Sequence, residues 1–152
     1  MITVAPISSP TDLDIVFGIR HTVFVVEQHV AHDEEYDEFE SISTHFLARV
    51  GVTPAGTARW RRTSNGIKLE RFAVLPAFRR QGVGQALVQA VLDDVFAQQQ
   101  TAEPTESIYL HAQLTAMPLY AGFGFAAVGP MFEEAGIQHY KMVLTGSAYP
   151  NQ

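Results

Sequence analysis

Arg79-Arg80-Gln81-Gly82-Val83-Gly84-Gln85-Ala86-Leu87 follows the apolar, strand-like run Leu69-Glu70-Arg71-Phe72-Ala73-Val74-Leu75-Pro76 and precedes Leu87, Val88, Val91, Leu92, Val95 and Phe96, which recur at helical spacing. This pattern predicts a strand feeding a glycine turn that opens an amphipathic helix over roughly residues 80–99. Glycines at 82 and 84 admit a close backbone approach and dihedrals that a side chain disfavours, while the first amides of the helix lack intrahelical acceptors. An anion is the natural guest of such a turn. The two arginines ahead of the glycines concentrate positive charge in a chain whose formal net charge is -6.

Outward from this turn, Ile2–Ile7 reads as a first strand, and Ser9-Pro10-Thr11-Asp12 as a helix start before Leu13, Ile15, Val16, Ile19 and Val23. A polar, acidic loop is expected from His29 to Ser43. His45–Val50 and Thr57–Arg61 read as neighbouring strands joined through Val52-Thr53-Pro54-Ala55-Gly56, with Gly66–Leu75 a third strand of the meander. After a Gln-rich stretch and a polar loop around Pro104 come a strand at Ser107–Ala112 and a short helix at Ala116–Ala121. A final strand pair is expected at Phe125–Pro130 and Gln138–Leu144.

The 152 residues, 47% hydrophobic and 17% charged, suit one domain with a substantial core and exclude a disordered chain. With no cysteine, disulfides, thiolate metal sites and a cysteine nucleophile are excluded. No apolar run approaches the roughly 20 residues of a membrane span, and the N-terminus lacks the basic and apolar regions of a signal peptide. A cytoplasmic protein is expected. The acidic balance argues against a nucleic-acid partner, which calls for a basic face. His29 and His32 with Asp33 and Glu34 lack a metal-binding spacing, so no metal is expected. A nucleotide site is disfavoured by the missing G-x-x-x-x-G-K-S/T and parallel βαβ order.

Together with Tyr120-Ala121-Gly122-Phe123-Gly124-Phe125, the R-x-x-G-x-G turn resembles the core of the GCN5-related N-acetyltransferase (GNAT) family, and the resemblance covers nearly the whole chain. It implies an α/β (α+β, mixed) fold: a central, mostly antiparallel sheet of about six to seven strands flanked by helices, with strands four and five parting to admit the cofactor. Residues 1–146 then form a single acetyltransferase domain with 147–152 as a tail. The family's loop binds the pyrophosphate of acetyl-coenzyme A, which assigns Arg79, Arg80, Gln81, Gly82, Val83, Gly84 and Gln85 to cofactor binding. Phe72, Ala73 and Val74 are assigned to the strand beside the pantetheine arm.

The resemblance also places Tyr120 near the thioester sulfur, both as a cofactor contact and as the general acid. A phenol with a reference pKa of about 10 carries its proton at neutral pH and can deliver it to a departing thiolate. Glu70, just ahead of the cofactor-facing run, is the candidate general base, with an ion pair to Arg71 or Lys68 as its alternative. His111 and His45 are the alternative bases, or hydrogen-bonded structural histidines.

Two further stretches resemble the ElaA and YjcF branch of the family. They are Ile19-Arg20-His21-Thr22-Val23-Phe24-Val25-Val26-Glu27-Gln28, which leads into an acidic loop and His45, and Phe132-Glu133-Glu134-Ala135-Gly136-Ile137-Gln138-His139. On that resemblance Arg20, Phe24, Glu27, Gln28, His45, His111, Glu134 and His139 are expected acceptor contacts. The acidic run Asp33–Glu40 suits a cationic amine such as an amino sugar, polyamine or lysine, or is a solvated loop. The expected activity is transfer of the acetyl group of acetyl-coenzyme A directly to a primary amine of a small molecule or peptide, by a monomer or homodimer. A non-catalytic acyl-coenzyme A sensor on the same fold is the alternative.

Overall fold

The computed structural model describes residues 1–98 and 106–145. The expected polar loop around Pro104 and the tail at 147–152 lie outside the described residues.

Ser9 accepts a hydrogen bond from the Asp12 amide at 3.1 Å and so caps α1 (Pro10–Arg20), with proline in the first turn and Arg20 in the last. The helix does not stop at the end of its α-helical ladder. It widens into a π-helical segment, His21–Glu27, in which the Gln28 amide reaches back to the Val23 carbonyl at 3.1 Å. The expected loop that follows contains one helical turn, α2 (His32–Glu35).

Among the described residues, seven strands form one sheet in the order β1-β2-β3-β4-β5-β7-β6: β1 (Ile2–Pro6), β2 (Thr44–Val50), β3 (Thr53–Thr63), β4 (Gly66–Val74), β5 (Ile108–Gln113), β6 (Phe125–Glu134) and β7 (Ile137–Leu144). Only β4 and β5 run parallel; the other neighbours are antiparallel. The expected linker 52–56 therefore turns out to be mostly strand, and the final hairpin is longer than the sequence pattern suggested. Its turn is tight, with Ala135 and Gly136 both at positive φ.

Alternation along the strands sends side chains to two cores. On one face α3 (Val83–Gln98) buries Val83, Leu87, Val88, Val91, Leu92 and Val95 against Phe46, Trp60, Leu69, Leu110 and Phe125. Trp60 Nε1 donates to Asp94 Oδ2 at 2.9 Å, tying β3 to that helix. On the other face Val16, Ile19, Val23 and Phe24 pack on Leu47 and Ala73. Each fully buried aliphatic side chain contributes about 1.5–3 kcal/mol relative to exposure.

Two irregularities open the sheet at its centre. Arg71 and Phe72 of β4 stand opposite Ala58 alone, a bulge in which Arg71 adopts φ 59°. Past Leu69↔Leu110, β4 has no further pairing with β5, although both strands continue. The two strands splay there, and β4 residues 70–74 retain only β3 as a strand partner. The 3₁₀ turn Pro76–Phe78 and α4 (Met117–Ala121) flank the opening.

Candidate functional site

Two cavities meet at the splay and share Val74, Arg79, Thr115 and Ala116. The smaller, of about 620 Å³, is lined by the glycine turn: Arg79, Arg80, Gly82, Val83, Gly84 and Gln85, with Val74 and Leu119. The larger, of about 670 Å³, extends from Phe72, Ala73 and Tyr120 to Phe24, Glu27, Gln28, His111, Glu134 and His139.

The glycine turn owes its shape to left-handed backbone at Arg80 (φ 63°) and Gly82 (φ 90°). A Cβ at Gly82 would make only ordinary contact, with Ile2 at 3.8 Å, so the requirement for glycine there is conformational. Gly84 differs. It already belongs to α3, and a Cβ would make ordinary contact with Leu119 at 3.4 Å, so the expectation of a forbidden dihedral holds at 82 and fails at 84. Gln81 lines neither cavity; its side chain donates to the Ala77 carbonyl at 3.1 Å.

Arg79 donates through Nε to the Val74 carbonyl at 3.0 Å and pairs with Glu27 across the mouth of the larger cavity. Both side chains remain more than a third exposed, 39% and 38%, so the pair is of the weak, solvent-screened kind that an incoming anion can displace.

Tyr120 is 6% exposed, its ring edge-on to Phe72 and Phe125. Its hydroxyl has no hydrogen-bond partner among the described residues, yet the sole sealed and unsatisfied side-chain atom among them is His45 Nδ1. The Tyr120 hydroxyl therefore opens into the cavity. Burial pushes its pKa upward, so the phenol holds its proton throughout the neutral range.

Glu70 is 8% exposed and already spoken for. Its Oε2 accepts from Arg59 Nε at 2.8 Å and Arg61 Nε at 2.7 Å, and Lys68 lies 3.4 Å from Oε1. Burial pushes this carboxyl up, but Arg59, Lys68, Arg61 and Arg71 together outweigh that and hold it below the usual range. A carboxylate so stabilised is a poor proton acceptor, which weighs against Glu70 as base and favours its ion-pair alternative.

Arg20 and His45 line neither cavity. Arg20 is 1% exposed, pairing with Glu35 and, at 2.8 Å, with both carboxylate oxygens of Glu40. His45 Nε2 donates to the Glu40 carbonyl at 2.8 Å, and burial lowers its pKa.

These residues belong to a network that sequence reading missed. Arg59, wholly buried, reaches Asp37 at 2.7 Å, Glu40 at 2.7 Å and Glu70 at 2.6 Å, and Arg71 joins Glu35 at 2.9 Å. Burial pushes Asp37 up, yet Arg59 hydrogen bonds and charge hold it down at about 2. Part of the acidic run is thus clamped, Glu35 and Asp37 to Arg71 of the β4 bulge and Glu40 to Arg20 and Arg59, while Asp33 stays exposed and Glu34, Glu35 and Asp37 line the larger cavity. Gln113 was missed as well. It hydrogen-bonds Gln28 at 2.9 Å inside the cavity, and its position two residues after His111 on one strand face could have revealed it.

The remaining expected residues are brought together. Phe24, Glu27 and Gln28 come from the π-helical segment and its end, His111 from β5, Glu134 from the end of β6 and His139 from β7. His111 Nδ1 lies 3.2 Å from Glu134 Oε2, and His139 Nδ1 donates to the Ile137 carbonyl at 2.7 Å. Hydrogen bonding to His111 dominates over burial in Glu134, whose pKa is held at about 2.

A family model described as "Acetyltransferase (GNAT) domain" matches residues 8–146. The sequence is 36% identical over 129 residues to YjcF of Bacillus subtilis, named an uncharacterized N-acetyltransferase, covering 84% of this chain and 88% of that one. The fold is similar to the crystal structure of Escherichia coli ElaA, with TM-score 0.81 and 26% identity over 95% of this chain and 100% of that one. It is also similar to a Bacillus subtilis acetyltransferase crystallised with CoA, with TM-score 0.68 and 15% identity over 95% of this chain and 98% of that one.

Proposed function

The chain belongs to the GNAT acetyltransferase family, in its ElaA/YjcF-like branch, and from that premise we propose that it transfers the acetyl group of acetyl-coenzyme A to a primary amine, with residues 1–146 acting as one catalytic domain. The observation that carries this reading is the meeting, at the β4–β5 splay, of a glycine-turn cavity and a larger polar cavity, with the Tyr120 hydroxyl opening into the latter.

In this reading the amides at the start of α3 and the side chains of Arg79 and Arg80 hold the pyrophosphate, since helix N-termini and guanidinium groups both favour phosphate. The unpaired edge of Phe72, Ala73 and Val74 lies beside the acyl-bearing arm. The acceptor enters between the π-helical segment and the β6–β7 hairpin, past Glu27, Gln28 and His139. Its nitrogen attacks the thioester carbonyl directly, and Tyr120 gives its proton to the leaving thiolate. A CoA-bound fold neighbour supports the donor assignment, and the N-acetyltransferase name of YjcF supports the amine.

The test is calorimetric titration with acetyl-coenzyme A, ATP and NAD, followed by thiol release with lysine, spermidine, glucosamine and a lysine-containing peptide. Selective acetyl-coenzyme A binding with amine-dependent thiol release is expected. Binding without turnover would favour the sensor alternative, and preference for ATP or NAD would reject the assignment.

A further inference from the structure

We propose that His111, oriented by Glu134, is the general base of the reaction, and that the acceptor it serves is an aliphatic amine arriving as an ammonium ion. This rests on the acetyltransferase reading above.

With Glu70 committed to Arg59 and Arg61, the cavity needs another group to take a proton from the attacking nitrogen. An aliphatic ammonium, with a reference pKa of about 10.4, cannot attack a carbonyl until it loses one. His111 is placed for this. It stands on β5 beyond the point where that strand parts from β4, and it lines the same cavity as Tyr120. Phe132 meets its ring edge-on at 5.0 Å and Tyr109 lies 5.9 Å away, so packing limits rotation of the ring.

The polarity of its two nitrogens follows from the partners. Nδ1 faces the Glu134 carboxylate at 3.2 Å, and a carboxylate accepts, so Nδ1 carries the hydrogen and Nε2 the lone pair. No described residue hydrogen-bonds Nε2, and it is not among the sealed atoms, so the lone pair opens onto the cavity. The same carboxylate stabilises the imidazolium that forms. Glu134 remains ionised throughout the neutral range, because hydrogen bonding to His111, with the charges of Lys68 and His139, outweighs its partial burial. The charged and titratable groups around this pair are Lys68 on β4, His139 and Lys141 on β7, with Lys141 directly opposite His111 in register. His139 is a weaker candidate: its Nδ1 is tied to a backbone carbonyl and its ring is stacked on Phe132 at 5.8 Å.

The step balances. Nitrogen forms its bond to the acyl carbon as the carbon–sulfur bond breaks. The arriving ammonium first gives one proton to His111 Nε2, which passes it to solvent; after attack the nitrogen gives its second proton to His111 Nε2, the thiolate takes the Tyr120 proton, and the imidazolium proton returns through solvent to the phenolate, so that one proton is released per turnover.

The first test needs no acceptor. Nitrogen-15 NMR of the histidine-labelled full chain, at a pH where the ring is neutral, should show His111 protonated on Nδ1 and bare on Nε2, with that preference weakened in Glu134→Gln. A ring protonated on Nε2 in the wild type would overturn the assignment. The second test is kinetic, using lysine, spermidine and glucosamine. His111→Ala, folded by circular dichroism, should lose about 10²-fold or more in turnover with the KM for acetyl-coenzyme A nearly unchanged, and added imidazole should restore at least about tenfold. Glu134→Gln should lose less, about tenfold. Wild-type turnover with an unimpaired His111→Ala enzyme would remove the base and leave the acetyltransferase reading standing. Acetyl-coenzyme A binding with no thiol release from any of these amines would remove both.

Discussion

Glu27 and Arg79 form a two-point ion pair where the larger cavity meets the smaller, with Arg79 Nη1 donating to Glu27 Oε2 at 2.5 Å and Nη2 to Oε1 at 2.6 Å. The residue expected to anchor phosphate on the donor side is thereby held by a residue expected to contact the acceptor.

If phosphate must displace that carboxylate, Glu27→Gln should strengthen coenzyme A binding by a few-fold, because an exposed pair of this kind is worth about 0–1 kcal/mol. Arg79→Ala should weaken it by about tenfold, and more at low salt than at high. Titration calorimetry at two salt concentrations checks both. Weaker binding in Glu27→Gln would mean that the carboxylate orients Arg79 instead of competing for it.

The two glycines of the turn should answer differently to substitution. Gly82→Asp places a side chain at φ 90° and a negative charge toward the smaller cavity, and should cost about 10²-fold or more in coenzyme A affinity. Gly84→Ala should fold normally and lose less than about tenfold, since its Cβ would make only ordinary contact with Leu119. Equal losses at the two positions would contradict the conformational argument.

Tyr120→Phe removes one hydroxyl without a protein partner among the described residues, so folding and coenzyme A binding should change little. Turnover should fall by about 10² to 10⁴ if the phenol is the proton donor. Stopped-flow thiol release under conditions where chemistry limits the rate is the relevant measurement, and an unchanged rate excludes Tyr120 from the step.

For Glu70→Gln the expectation is reversed. Turnover should stay within about threefold of wild type while thermal stability drops, because the carboxylate neutralises buried Arg59 and half-buried Arg61. A turnover loss approaching 10²-fold with an unchanged melting temperature would reinstate it as the base.

Asp37 supplies a pH dependence whose sign is set by its direction of shift. Its folded pKa of about 2 lies below the reference 3.8, so its stabilisation is present above about pH 4 and is lost as pH falls through about 2. Asp37→Asn should therefore cost about 2 kcal/mol at pH 7, from 1.36 kcal/mol per unit, with the difference from wild type shrinking below about pH 4. Urea unfolding across that range would reveal a pH-independent difference if the ion pair with Arg59 is not responsible.

Much of the site could be read locally. The glycine turn, the strand before it and the helix after it are contiguous, so Arg79, Gly82 and Gly84 reach one cavity through backbone geometry written over a few residues. Tyr120 was legible for a similar reason, because Tyr120-Ala121-Gly122-Phe123-Gly124-Phe125 forms the end of α4 and the entry to β6. The charged residues were not legible. Glu70 reads on its own strand as a carboxylate beside a cavity, and only the register of β3 brings Arg59, eleven positions earlier, within 2.8 Å. Asp37 reads as part of a polar loop until it meets the same arginine across twenty-two positions.

What the sequence determined by itself was the order of elements, the glycine turn and the aromatic residue behind it, because each follows from short-range periodicity and backbone preference. Only the tertiary structure decided which acids and bases face the cavity. The π-helical segment shifts Glu27 and Gln28 off the α-helical phase, and the bulge at Arg71 and Phe72 breaks strict alternation along β4. Pairing across the fold then commits Glu35, Asp37, Glu40 and Glu70 to arginines, even though Glu35, Asp37 and Glu70 line the larger cavity, while His111 and Glu134 pair with each other there. A charge finds its partner through register and side-chain direction, and neither is encoded in the neighbours along the chain.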